Sequence, residues 1–167
     1  MNKRLRQYAG LLAAIAAYYL IHEGAHLVYA LLIGLFKQVN ITALGVQIDV
    51  YAEQMTEAQM GVFCIIGSIA TLITGWSLSA AAHIIGKHPS KVFKACMYYV
   101  TIALLLIDPL YLSVLCGFFG GGDMNGIALL IPELAARFIY SALLIINVCI
   151  FWKRVLPAYK AAFAKAE

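Results

Sequence analysis

His22 and His26 stand four residues apart, with Glu23 directly after the first of them. On a helix that spacing sets both imidazoles on one face. Two imidazoles so placed can chelate one metal ion, zinc above all. A glutamate beside the first can take a proton from a water that the ion activates. The plainer alternative is a structural pairing of Glu23 with a histidine. The surroundings weigh against it. His22-Glu23-Gly24-Ala25-His26 lies in an apolar stretch long enough to cross a bilayer, where ionisable groups are costly and need a reason.

A catalytic zinc site takes three protein ligands and keeps one position open. The third must come from elsewhere in the chain, and three acids are placed for it. Asp123 lies in a glycine-rich break between Gly120 and Gly126. Such a break can fold irregular backbone into a protein-lined cavity, or Asp123 can simply cap the helix after it. Asp108 precedes Pro109 inside an apolar run and reads equally as a buried polar group at a proline kink. Glu133 follows Pro132, and its spacing from Arg137 favours an ion pair over a metal role. His83 and His88 flank Gly86 and read as interfacial residues.

The elements that must position these residues are membrane spans. The chain has 167 residues, 63% hydrophobic and 12% charged, about half the usual charged share. Its mean hydropathy is +0.87. The fold class expected is an all-α membrane protein of one domain, 1–167, with about four transmembrane helices. Spans over roughly 8–36, 60–86, 92–118 and 127–152 each exceed the ~20 residues needed to cross. The polar connection 37–59 holds Val39 and Ile41, then Val46, Ile48 and Val50, alternating with more polar residues around Gly45. That pattern predicts a short β-hairpin over about 38–52 at the membrane surface. Thr56 with Gln59 predicts a capping box opening the second span. The N-terminus looks like a signal peptide, but its apolar run continues to Phe36, so we read it as a retained span. Cys64, Cys96, Cys116 and Cys149 form no CxxC pair and read as small packing residues.

The net charge is +4. Lys3, Arg4 and Arg6 precede span one. Lys87, Lys91 and Lys94 lie between spans two and three. Lys153, Arg154, Lys160 and Lys165 follow span four. The remaining connections hold Lys37, Asp49, Glu53, Glu57 and Asp123. This bias predicts both termini in the cytoplasm and the bilayer, not nucleic acid, as the partner of the cations.

Three groups of residues together resemble the site-2 protease family of intramembrane zinc metalloproteases. The first is His22-Glu23-Gly24-Ala25-His26 in span one. The second is Gly67-Ser68-Ile69-Ala70-Thr71, similar to the family's Gly-Pro-x-x-Asn motif. The third is Asp108-Pro109 with Gly122-Asp123, similar to its Asn-x-x-Pro and Asp-Gly elements. Ser68, Thr71 and Met124 depart from those patterns, and no PDZ domain is present. The resemblance implies Zn2+ as cofactor, His22, His26 and Asp123 as its ligands, and Glu23 as general base. It implies an endopeptidase cutting in or near a transmembrane segment of a membrane-anchored protein or leader peptide. Val46 and Ile48 of the hairpin, with Thr71 and Asn125, are then the residues expected to contact substrate, taken up as an added strand. Gly117, Gly120, Gly121 and Gly122 are expected to permit gating. The resemblance also implies a site near the cytosolic face, whereas the charge rule turns the histidines outward. Two other classes stand beside this one: a non-catalytic metal-binding or transport protein, and a catalytically inactive adaptor. Transport would call for ionisable groups strung in a line across the membrane.

Overall fold

The computed structural model of the chain describes residues 2–42, 45–118 and 122–164. Helix α1 (Lys3–Leu32) opens on Asn2, whose side chain accepts from the Arg4 backbone N–H. It closes on a Schellman turn. The Leu35 N–H reaches the Ala30 carbonyl at 3.0 Å, and the Gly34 N–H reaches that of Leu31 at 3.1 Å. Gly34 allows this at φ +72°, where a Cβ is disfavoured. The first span therefore stops at Leu32 and not near residue 36, as hydropathy alone suggests. Phe36 is apolar for another reason: it begins a strand and packs on the core.

Strands β1 (Phe36–Thr42) and β2 (Gly45–Val50) pair antiparallel, with Val39 opposite Ile48 and Ile41 opposite Val46. The expected hairpin is present, displaced slightly toward the N-terminus. Residues 43 and 44, between the two strands, lie outside the described residues. Phe36, Ile48 and Val50 seat it on a buried cluster that includes Phe63, Leu72 and Met124.

Helix α2 (Glu57–Gly86) starts on the expected capping box. Thr56 Oγ1 accepts from the Gln59 N–H at 3.2 Å, and Gln59 Oε1 accepts from the Thr56 N–H at 2.9 Å. Helix α3 (Lys91–Leu110), capped by Ser90, packs against both α1 and α2. Pro109 has no N–H, which strands the Leu105 carbonyl one turn earlier. Asn147, on the last long helix, resolves this by donating from Nδ2 to Leu105 O at 2.6 Å. Its Oδ1 accepts from the Trp76 indole N–H at 2.8 Å. Beyond α3 the chain continues through a π-helical turn (Tyr111–Leu115) and a 3-10 turn (Cys116–Phe118).

Helix α4 (Asp123–Ile127) is a short turn against α2, so close that a Cβ on Gly126 would overlap Cys64 Sγ. Helix α5 (Glu133–Ile150) passes through a π-helical turn (Phe151–Val155) into α6 (Leu156–Ala164). The fourth span therefore begins at Glu133, not 127, because Pro132 disfavours helical backbone at Ile131. It also runs on past residue 152 to Ala164.

Among the described residues, four helices are long and apolar enough to cross a membrane: Lys3–Leu32, Glu57–Gly86, Lys91–Phe118 and Glu133–Ala164. With the hairpin after the first, this is the fold class the hydropathy predicts. Leu12, Leu20, Leu32, Ile84, Phe138 and Ile145 stand exposed on the outside, as a surface facing lipid requires. The spans alternate in direction. Lys3, Arg6, Lys91 and Phe163 line one cleft, so the start of α1, the start of α3 and the end of α6 share one end of the bundle. The hairpin and α4 lie at the other. The four cysteines are free.

Candidate metal centre

α1 turns His22 and His26 inward, where they are 7% and 3% exposed. Their rings meet edge to face at 4.8 Å. The break after α3 brings the chain back so that Asp123, the first residue of α4, faces both. Asp123 Oδ2 lies 3.2 Å from His22 Nε2 and 3.7 Å from His26 Nε2. Gly122 aims this return with φ +48°. Among the described residues these three form the group able to hold a metal ion, with ligand atoms all within 4.8 Å of one another. Two ligands ~2.0 Å from a tetrahedral ion stand about 3.3 Å apart, so the spacing fits with small side-chain adjustment. Two imidazole nitrogens and one carboxylate oxygen are a donor set suited to zinc. Asp123 itself stands outside the spans. Burial raises its carboxyl pKa, but the two imidazoles outweigh that and bring it down to about 2.

Asp108 lies outside this group. Its carboxylate takes the other side of His22, with Nδ1 3.3 Å from both oxygens. An ionised carboxylate only accepts, so Nδ1 carries a proton toward Asp108, and Nε2, which faces Asp123, is the nitrogen that would exchange its proton for a metal ion. Two hydroxyls hold Asp108 in place: Tyr18 Oη donates to Oδ1 at 2.5 Å, and Thr71 Oγ1 donates to Oδ2. Thr71, expected to contact substrate, is fully buried and serves this support instead. Tyr18 escaped the motif reading, although it precedes His22 by four residues and stacks on it at 5.3 Å. That i, i+4 spacing was the available signal.

Gly67 explains why α2 can pass so close. A Cβ there would come within 2.6 Å of His26 Nε2 and 2.8 Å of His22 Nε2. The neighbouring Ser68 hydroxyl lies 2.6 Å from Tyr140 Oη and ties α2 to α5. Phe63 packs on His26 at 4.7 Å.

Glu23 makes no ion pair with either histidine among the described residues. Its Oε2 accepts from the Ile48 backbone N–H at 3.2 Å. With His26, Ile48, Tyr111, Gly122 and Asp123 it lines a cleft of about 270 Å³. A second, mostly apolar groove of about 320 Å³ adjoins it, bounded by Val46, Ile48, Leu20, Gly24 and Leu27. Asn125 is exposed on α4. Glu133 is not part of the donor set and pairs with Arg137 at 2.8 Å. His83 and His88 belong to the other end of the bundle. Gly117 and Gly122 flank the break, whereas Gly120 and Gly121 lie outside the described residues. Compared with known proteins, the chain matches no family model, no curated protein and no solved structure.

Proposed function

We propose that this chain is a multi-pass membrane zinc endopeptidase of the site-2 protease type. One observation carries the reading: Glu23 opens into the same cleft as His26 and Asp123, beside the backbone of β2. A structural metal site has no use for a carboxylate placed beside the ligands instead of among them. His22, His26 and Asp123 would hold the ion. When bound, zinc supplies a Lewis acid that activates water and polarises a carbonyl. Glu23 accepts a proton from the attacking water and returns it to the leaving amine. Tyr18, Thr71 and Asp108 fix the His22 ring and its tautomer. The Ile48 N–H points away from β1 to Glu23, so this edge of β2 faces the cleft. An unwound substrate segment aligned there would meet the base with its backbone extended. The adjoining apolar groove suits the side chains of a membrane segment.

Away from the helix ends, the charge-bearing groups of α1 and α3 are His22, Glu23, His26 and Asp108, clustered around one centre and not strung in a line, which disfavours a transport path. With the cationic end placed in the cytoplasm, the cleft opens toward the opposite face. Secreted peptides or leader segments suit such a site. The deciding experiment co-expresses candidate single-span substrates with the wild chain or with Glu23→Gln. Cleavage by the wild chain alone is expected. Equal cleavage by both would remove Glu23 from the mechanism, and none by either would favour a binding role.

A further inference from the structure

The cationic end of the bundle contains a second built cleft, unrelated to the metal centre. It lies between the α2–α3 connection and the end of α6, with a volume of about 400 Å³. His83, Lys87, His88 and Lys94 line it together with Ala158 and Ala162, and among the described residues no carboxylate contributes to its wall. Lys94 forms its base. This lysine is only 3% exposed. Its Nζ donates to the Ala162 carbonyl at 2.9 Å and stands 5.6 Å from the centre of the Phe163 ring. No described carboxylate pairs with it. An ammonium has three donors, and burying a cation without a counter-charge is costly. One carbonyl leaves both needs incompletely met, so the cleft calls for an anion.

The placement narrows which anion. Lys94 lies roughly 5 Å into α3, the depth of a headgroup when a helix spans the bilayer. Ile84, 71% exposed, flanks His83 on the lipid-facing surface. An acyl chain on that surface would have its phosphate beside the cleft. Lys3, Arg6 and Lys91 gather in the neighbouring cleft at the same end and extend the positive field. We propose that the cleft binds the phosphate group of an anionic phospholipid, with Lys94 beneath it and Lys87 at its rim.

The test uses the full chain reconstituted in nanodiscs and released for native mass spectrometry. The probes are phosphatidylglycerol, phosphatidylcholine and inorganic phosphate. Retained phosphatidylglycerol, little phosphatidylcholine, and loss of retention by about fivefold in Lys87→Gln are expected, the order for one cation at an anionic surface. Lys94→Met should lose at least as much. Because Lys94 is buried, that variant counts only if its thermal midpoint stays near the wild value; Lys87 is exposed and carries the test alone otherwise. Lys153→Gln removes the same charge outside the cleft and should change retention less than twofold. Equal losses in Lys87→Gln and Lys153→Gln would overturn the site in favour of a diffuse surface charge. Binding of inorganic phosphate with no preference for phosphatidylglycerol would overturn the lipid.

Discussion

Each residue of the centre has a separable task, so single substitutions should separate them. Glu23→Gln keeps its hydrogen-bonding shape near Ile48 but loses the base. Zinc content should be unchanged while cleavage falls by about 10²–10⁴-fold. In the proposed centre Asp123→Ala removes a ligand, and Asp108→Ala removes only what orients one. Bound zinc, measured by elemental analysis, should therefore drop most in Asp123→Ala. In Asp108→Ala metal affinity should weaken by roughly 10–100-fold, and in Glu133→Ala it should hold. The reverse order of the two aspartates would exchange their roles. Gly67 and Gly24 form a second contrast. A methyl on Gly67 meets both imidazoles, whereas one on Gly24 meets nothing within 4 Å. Gly67→Ala should cost zinc, and Gly24→Ala should leave it intact; equal metal content in both would show that α2 has room to move. The two histidines and the glutamate were legible from spacing. The resemblance placed Asp123 with them, but the place of Asp108 against His22 was not legible, because the two are 86 positions apart.

At the scale of elements, the breaks between helices and inside them place the chemistry. Gly34 ends α1 and sends the chain into the hairpin whose Ile48 N–H holds Glu23. Pro109 opens the backbone of α3 directly after Asp108, and Asn147 closes the gap from another span. Asn147→Leu should strand the Leu105 carbonyl and cost about 1–3 kcal/mol, read as a fall in the unfolding midpoint in detergent. An unchanged midpoint would show that water or backbone relaxation replaces the bond. Hydropathy found all four spans, and the Thr56–Gln59 pair located the start of α2. Hydropathy misplaced the end of span one and the start of span four. Ile127 is buried in the protein and Phe36 packs half-buried against its core, and a hydropathy window does not distinguish such packing from lipid contact.

For the whole molecule, the spans divide charge from chemistry. One end gathers lysines and arginines, and the other holds the hairpin, α4 and the cleft that Glu23, His26 and Asp123 line. Reporters fused to either terminus should both read cytoplasmic. Opposite readings for the two termini would break the four-span topology, and two external readings would place the cleft on the cytosolic side, as the site-2 protease resemblance implies.

Hydropathy and i, i+4 spacing are local quantities. By themselves they determined the four-helix membrane class, the hairpin, the paired imidazoles and the carboxylate beside them. Tertiary packing alone decided that Asp108 takes the far side of His22 while Asp123 faces both imidazoles. It also decided that Thr71 and Tyr18 support Asp108, and that Gly67 leaves room for both rings. Those facts are distances between residues remote in sequence, set by how α1, α2, α3 and α4 pack, and no window along the chain contains them.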